Sequence, residues 1–156
     1  MKKLTLILVI LLFSINIFPL SGPAIDFKAM DIDGNSVELS KYKGKVVILD
    51  FWATWCSPCI KEIPNLKKIY SEFKDDEFEI ISIALERKPK EHAIKFVADR
   101  GMSWVHIINK DKGREIATEY KIRYIPTMYV VGKKGDILAS GLRGEKLKEK
   151  ISELLK

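Results

Sequence analysis

The alternation of apolar and polar positions predicts short strands and amphipathic helices along most of the chain. Val46 to Phe51 and Phe78 to Leu85 are almost entirely apolar, which is typical of central strands covered on both faces. Between them, apolar residues recur at helical spacing, at Ile60, Ile63, Leu66, Ile69, Tyr70 and Phe73. This spacing predicts a long helix that begins near Ser57, and Pro64 within it predicts a kink.

The flanking segments complete the same pattern. Asp33-Gly34 is a turn signal between two alternating segments, Phe27–Met30 and Ser36–Leu39, and predicts an antiparallel hairpin. Further elements are predicted as helices around Ile94–Val97, over Lys112–Tyr120 and at the C-terminus, and as strands over Trp104–Ile108, Met128–Val131 and Ile137–Ala139. Because strands and helices alternate, we predict an α/β fold in which a central mixed sheet has helices on both faces.

The first 24 residues have the pattern of an export signal. Lys2 and Lys3 precede an apolar run that extends to Leu20, as in secretory signal peptides, and Ala24 offers a cleavage site. This run is at the short end of the lengths that span a bilayer, so an uncleaved membrane anchor through residues 4–20 is the alternative. Residues 25–156 are predicted to form one domain outside the cytoplasm, which we expect to be a monomer.

Composition and charge exclude several classes of protein. The apolar content of 47% is too high for a chain that is disordered throughout. The net charge of +6 includes two lysines of the export signal, and the remaining lysines alternate with acidic residues instead of forming one basic stripe. We therefore expect a solvated surface and no nucleic-acid binding.

Cys56 and Cys59 are the only cysteines of the chain, and they lie where the predicted central strand gives way to the predicted helix. Backbone N–H groups at a helix N-terminus favour a thiolate, which is the form that attacks disulfides. We therefore interpret Cys56 as the nucleophile and Cys59 as the resolving thiol of a redox-active disulfide that needs no further cofactor. Zinc is disfavoured because His92 and His106 lack ligand spacing, and a structural disulfide is disfavoured because so short a loop constrains little chain.

Asp50 interrupts the apolar central strand six residues before Cys56. A carboxyl group in such a run should be desolvated, which would raise its pKa and allow it to exchange a proton with Cys59. The alternative is an aspartate at the strand end that faces water.

Together these residues resemble the thioredoxin superfamily. Trp55-Cys56-Ser57-Pro58-Cys59 matches the redox motif of that family, Asp50 its buried acid, Pro64 its helix-kinking proline and Ile125-Pro126-Thr127 its cis-proline loop. The resemblance covers the chain from about Ile25 onward. It implies a thioredoxin-like fold in which a cis proline lies beside the active-site disulfide.

The resemblance also implies where substrates bind. An extended substrate segment would pair with the backbone of the proline loop, as in strand addition. Trp55, Ile125, Pro126 and Thr127 are therefore the expected substrate-binding residues. The alternative is an ordinary trans proline at the start of a strand.

Two features resemble the exported TlpA/ResA branch, whose domain is of the redoxin or AhpC/TSA type. They are the N-terminal hairpin and an extra helix–strand unit at about Pro89 to Ile108. Glu62 matches a glutamate common in that branch and is a second candidate for proton handling, whereas Asp50 departs from the asparagine that the branch often has. The resemblance implies exported thiol proteins, such as apocytochrome c, as clients and a membrane thiol reductant as electron donor.

The direction of electron flow is predicted from the residues beside the cysteines. Ser57-Pro58 places no cation between them, which limits stabilisation of the Cys56 thiolate and favours a reductant. Isoleucine before Pro126 is also the residue that reducing members of the superfamily carry. We therefore predict a protein-disulfide reductase, and the resemblance to the TlpA/ResA branch implies that it acts in cell redox homeostasis and cytochrome c biogenesis.

Three alternatives belong to other classes. They are a disulfide-forming oxidase, a thiol peroxidase of the peroxiredoxin type, and a non-enzymatic holdase that grips clients through the proline loop. The peroxidase is disfavoured because its reactive cysteine follows a T-x-x-C pattern, whereas Ala53 stands three residues before Cys56.

Overall fold

The computed structural model describes residues 22–156, which form a six-stranded mixed sheet, a two-stranded hairpin, four α-helices and a short 3-10 helix at Leu39–Tyr42. The strands are Gly22–Pro23 (β1), Lys28–Met30 (β2), Ser36–Glu38 (β3), Val46–Trp52 (β4), Phe78–Ala84 (β5), Val105–Ile107 (β6), Thr127–Val131 (β7) and Asp136–Ser140 (β8). The helices are Ser57–Phe73 (α1), Lys90–Asp99 (α2), Lys110–Glu119 (α3) and Gly144–Leu154 (α4). The predicted elements are present, with ends that differ by a few residues.

The six-stranded sheet has the order β1-β8-β7-β4-β5-β6. Strands β4, β5 and β6 run parallel, whereas β7 is antiparallel to β4, and β8 is antiparallel to both β7 and β1. All seven residues of β4 are buried, as expected for a central strand that is covered on both faces. The predicted mixed sheet is therefore confirmed.

Alternate residues of β4 face two separate apolar cores. Ile48 and Trp52 pack with residues of α1, α2 and α4, whereas Leu49 and Phe51 pack with α3 and with the hairpin. This division follows from the period of two in a strand, which sends successive side chains to opposite faces. It confirms helices on both faces, and it places Asp50 on the same face as α1.

The hairpin of β2 and β3 lies where the sequence predicted it. Ala29 pairs with Val37 in an antiparallel register, and both side chains are buried in the core beneath the hairpin. The Asp31 carboxylate closes the turn by accepting hydrogen bonds from the Asn35 N–H at 2.7 Å and the Asp33 N–H at 2.9 Å. Gly34 has a φ of +84°, which a side chain at that position would disfavour.

The N-terminal part of the described chain adds a strand that the sequence did not predict. Gly22 and Pro23 form β1, which pairs with β8, and the Ala24 N–H donates to the Gly135 carbonyl at 2.8 Å. Cleavage after Ala24 would therefore remove β1 from the sheet. The predicted export signal or anchor, residues 1–24, otherwise lies outside the described residues, and none of the helices described is long and apolar enough to cross a bilayer.

Candidate active site

Several loops meet at one edge of the sheet, where β4 and β5 end and β7 begins. Trp52 at the end of β4 pairs with Ala84 at the end of β5, and Phe51 pairs with Thr127 at the start of β7. The cysteine loop and the proline loop, which are 66 residues apart at Cys59 and Ile125, are therefore neighbours. Ligand sites of α/β proteins commonly occupy this edge, outside the carboxyl ends of parallel strands.

Cys56 and Cys59 form a disulfide at the N-terminus of α1, with their Cα atoms 5.3 Å apart. Cys56 is the N-cap residue, and its Sγ accepts a hydrogen bond from the Cys59 N–H at 3.3 Å. In the reduced protein this donor and the helix dipole would stabilise a thiolate on Cys56. Both cysteines are almost fully buried, whereas Trp55, Ser57 and Pro58 around them are exposed. A substrate would therefore approach Cys56 across these exposed residues.

Pro64 lies inside α1, as the sequence predicted. Because proline has no N–H, it cannot donate to the Ile60 carbonyl one turn earlier. Ile60 lies in the first turn after the disulfide, so this carbonyl lacks its usual helical partner next to the active site.

Asp50 is buried on the α1 face of the sheet, and a chain of hydrogen bonds reaches it from β5 and from the residue before β6. The Trp104 indole N–H donates to the Ser82 hydroxyl oxygen at 2.8 Å, and the Ser82 hydroxyl donates to Asp50 Oδ2 at 2.9 Å. Burial raises the pKa of Asp50 to about 7, the Ser82 hydrogen bond opposes this rise, and the negative charge of Glu62 adds to it. The structure thus removes the alternative of an aspartate facing water.

Glu62 joins α1 to the start of α4. Its Oε1 accepts hydrogen bonds from the Asn65 side-chain amide at 2.7 Å and from the Gly144 N–H at 2.8 Å. The first N–H groups of a helix have no partner within the helix, so this carboxylate satisfies one of them. Asp50 and Glu62 both stay predictions as proton carriers, and burial raises the pKa of Asp50 to about 7.

A further buried carboxylate, Glu86, holds the loop that precedes Cys56. Its two oxygens accept hydrogen bonds from the Thr54 N–H at 2.5 Å and from the Thr54 hydroxyl at 3.1 Å. Glu86 lies two residues after the end of β5 and is only 4% exposed. It therefore fixes the backbone two residues before Cys56, the predicted nucleophile, and we expect it to act as a positioning residue.

We expect Glu86→Ala to impair both stability and exchange. It would leave the Thr54 N–H and hydroxyl buried without partners, which should lower the free energy of unfolding by about 2 kcal/mol. The loosened loop should also lower kcat/KM for disulfide reduction several-fold, whereas Glu86→Gln, which keeps an acceptor for the N–H, should retain most of it. Denaturant unfolding and steady-state kinetics would measure these effects, with Glu91→Ala as the control on an exposed glutamate of α2. Equal kcat/KM for Glu86→Ala and wild type would show that Thr54 needs no such anchor.

The proline loop has the predicted conformation. The Ile125–Pro126 bond is cis, and Ile125 packs against the core that contains both cysteines. The Thr127 hydroxyl donates to the Tyr124 carbonyl at 2.8 Å, and the Arg143 guanidinium donates to the Pro126 carbonyl at 2.8 Å. Substrate binding by this loop and by Trp55 stays a prediction.

Sequence analysis missed four residues of this region: Ser82, Glu86, Trp104 and Arg143. Ser82 could have been noticed, because it is a polar residue within an apolar strand, as Asp50 is. The other three carry no such signal, since their partners lie between 17 and 32 residues away along the chain. For metals, the described residues contain no group of three or more histidine, cysteine or acidic side chains that could hold an ion.

This fold, with a cysteine pair bridged at the start of the first long helix, defines a thioredoxin-like thiol-disulfide oxidoreductase. Comparison with known proteins supports the same class. The model of the AhpC/TSA family matches residues 20–140, and the thiol-disulfide oxidoreductase ResA of Bacillus thuringiensis is 37% identical over 134 residues, which cover 85% of this chain and 75% of that protein. The chain therefore belongs to the AhpC/TSA family.

Solved structures show the same fold. The thioredoxin domain of a thiol-disulfide oxidoreductase from Bacteroides vulgatus has a TM-score of 0.80 and 33% identity, over 87% of this chain and 98% of that one. A thiol:disulfide interchange protein from Bacteroides sp. has a TM-score of 0.78 and 33% identity, over 86% and 89%. The protein is thus a thiol-disulfide oxidoreductase that works by dithiol exchange, and the cysteine pair itself carries the electrons.

Proposed function

We propose that this enzyme reduces disulfides of exported proteins outside the cytoplasm. The direction of electron flow is inferred from the groups around the Cys56 sulfur. Its hydrogen-bond donor is the neutral N–H of Cys59, and the intervening Ser57 and Pro58 carry no charge. A thiolate that accepts its hydrogen bond from a neutral N–H is stabilised less than one that pairs directly with a cation, so the reduced form is less favoured and the dithiol is the better reductant.

The exchange takes place in two steps. The Cys56 thiolate attacks one sulfur of the client disulfide, so that a bond between enzyme and client forms as the client disulfide breaks and its other sulfur leaves as a thiolate. The Cys59 thiolate then attacks Cys56 Sγ, which forms the Cys56–Cys59 disulfide and releases the second client sulfur. Two electrons pass to the client, and its two new thiolates take up the protons that the enzyme thiols have lost.

Asp50 supports the second step from the face of the sheet on which α1 packs. With a pKa of about 7, its carboxylate form can take the proton of Cys59 as that thiol becomes a nucleophile. A membrane thiol reductant would then return two electrons to the oxidised pair.

The proposed location is inferred from the sequence of residues 1–20, which lie outside the described residues. The positive start and apolar run of residues 1–20 support export, either by a cleaved signal peptide or with residues 4–20 as an anchor. Clients would be exported thiol proteins, with apocytochrome c as the first candidate. Protease treatment of intact cells and of spheroplasts would test the location, and the mass of the purified protein would distinguish cleavage from anchoring.

We expect the reduction potential of the Cys56–Cys59 pair to lie nearer that of thioredoxin, about −270 mV, than that of the oxidant DsbA, about −120 mV. Equilibration with glutathione buffers of known ratio would measure it. The purified enzyme should also reduce insulin when it is supplied with a dithiol. A potential near the DsbA value would reverse the proposed direction and make the protein an oxidase.

A further inference from the structure

The loops at the active-site edge of the sheet carry an unusual share of positive charge. We define the active-site rim as residues 53–59, 85–90, 121–126 and 141–143, which are the cysteine loop and the loops that surround it. Six basic side chains lie in the rim, and all six are exposed: Arg87, Lys88, Lys90, Lys121, Arg123 and Arg143. Its single acidic residue is Glu86, which is buried against Thr54.

The rest of the described chain is close to neutral. Of the 27 basic residues, Lys2 and Lys3 precede residue 22, and all 21 acidic residues follow it, so residues 22–156 hold 25 basic and 21 acidic side chains. Without the rim, 19 basic and 20 acidic side chains remain. The positive charge of this part of the molecule is therefore concentrated around the disulfide, although the lysines alternate with acids along the sequence.

The rim also exposes the kinds of side chain that anchor protein–protein contacts. Trp55, directly before Cys56, is 43% exposed, and Tyr124, directly before the cis Ile125–Pro126 bond, is 72% exposed. The Arg87 guanidinium stacks on the Trp55 ring at 4.1 Å from its centroid. Tryptophan, tyrosine and arginine are the residues most often found at energetic hot spots of interfaces.

We propose that the active-site rim binds client segments in which acidic residues flank the cysteines. This inference rests on the proposed reductase function and specifies its substrates. Aspartate or glutamate side chains on either side of a client disulfide would meet the rim arginines and lysines, while an aromatic or apolar client residue contacts Trp55 or Tyr124. Complementary charge speeds encounter and rejects partners of like charge, so basic segments would be disfavoured.

A protein client is favoured over other anionic partners because the rim encloses a disulfide. Thiol–disulfide exchange needs a sulfur on the partner, which nucleic acids and phospholipid headgroups lack. The positive charge is also distributed over three loops around Cys56 instead of forming one continuous stripe or a helix face. A disulfide-bearing segment placed on Cys56 would lie within the reach of all three loops.

The test uses three synthetic peptides that each carry one internal disulfide and differ only in four flanking residues, which are all aspartate, all serine or all lysine. Oxidation of the reduced enzyme by each peptide is followed by stopped-flow tryptophan fluorescence. Each rate constant is divided by that for reduction of the same peptide by dithiothreitol, which corrects for the intrinsic reactivity of the disulfide.

At low ionic strength we expect the corrected rate constant to be at least about tenfold higher for the aspartate peptide than for the lysine peptide, with the serine peptide between them. In 0.5 M NaCl the three values should approach one another, because the Debye length falls to a few ångströms. A double variant, Arg87→Gln with Arg123→Gln, should lose most of the preference. The matched control, Lys68→Gln with Lys74→Gln, removes the same charge from the distal part of α1 and from its C-cap residue, and should keep the preference.

The outcomes separate this inference from the function on which it rests. Equal corrected rates for the three peptides would overturn acidic specificity and leave the reductase intact, whereas failure to reduce any of them would overturn both. Anionic lipid vesicles provide the remaining comparison. Binding of the enzyme to vesicles through Arg87 and Arg123, without any preference among the peptides, would assign the rim to a membrane surface and overturn the proposal.

Discussion

Cys56→Ser should reduce disulfide exchange to the rate of the uncatalysed reaction, whereas Cys59→Ser should still attack clients and then remain bound to them. Cys56 is the N-cap residue of α1 and receives the Cys59 N–H, so its sulfur is the one that the helix activates. A serine hydroxyl cannot replace a thiolate in this reaction. Without Cys59, the mixed disulfide on Cys56 has no internal thiol that can release the client.

Two measurements would check these expectations. Insulin reduction gives turnover for both variants, and non-reducing electrophoresis of cell extracts that contain Cys59→Ser reveals the trapped clients. The double variant Cys56→Ser with Cys59→Ser is the control that should trap nothing. Peroxide turnover that survives Cys59→Ser at full rate would favour the peroxidase alternative, and client binding that survives in the double variant would favour a holdase.

Asp50→Asn should stabilise the folded protein at pH 8 and slow the resolving step. The folded-state pKa of Asp50 is raised from 3.8 to about 7, chiefly by burial, so the folded protein holds this proton more tightly than the unfolded chain does. Between these two values the folded state binds more protons than the unfolded state, and its stability therefore falls as the pH rises through that window. Above about pH 7 the full penalty of the buried charge remains, at about 1.4 kcal/mol per pKa unit, or about 4 kcal/mol in total.

Asparagine keeps an acceptor for the Ser82 hydroxyl but carries no charge. The free energy of unfolding of Asp50→Asn relative to wild type should therefore rise between pH 4 and pH 7, and then level off. Urea unfolding of the oxidised proteins across this range would measure it, with Asp75→Asn as the control on an exposed aspartate after α1. A difference between the variant and wild type that does not change with pH would show that Asp50 is not buried as a titrating acid.

Asp50→Asn also tests whether Asp50 accepts the proton of Cys59 in the resolving step. In wild type the rate of Cys59 attack on a mixed disulfide should rise through about pH 7, as Asp50 becomes able to accept the proton. Asp50→Asn should remove that inflection and lower the rate, which single-turnover kinetics would measure. Glu62→Gln is the comparison, because Glu62 contributes its charge to the pKa of Asp50 while its own oxygen is bound to Asn65 and Gly144. Loss of the inflection in Glu62→Gln alone would assign the proton to that residue.

Much of the fold could be predicted because it depends on local periodicity. The apolar runs of β4 and β5 and the helical spacing of α1 are written into consecutive residues, so these elements lie where they were expected. The strand β1 was missed because Gly22-Pro23 has no strand pattern of its own and is held by its pairing with β8. Glu86 was missed for a similar reason, since its partner Thr54 is 32 residues away and the two meet only when β4 and β5 pair.

The sequence by itself determined the chemistry and the fold class of this protein. Two cysteines at the boundary between a buried strand and a helix specify dithiol exchange, because the helix N-terminus activates the thiol wherever that boundary occurs. Only the tertiary structure decided which groups surround the cysteines. Sheet register places Ser82 beside Asp50, loop geometry anchors Thr54 on Glu86, and three loops from distant parts of the chain bring the basic residues of the active-site rim together. Such contacts depend on strand pairing across long sequence separations, which no local pattern encodes.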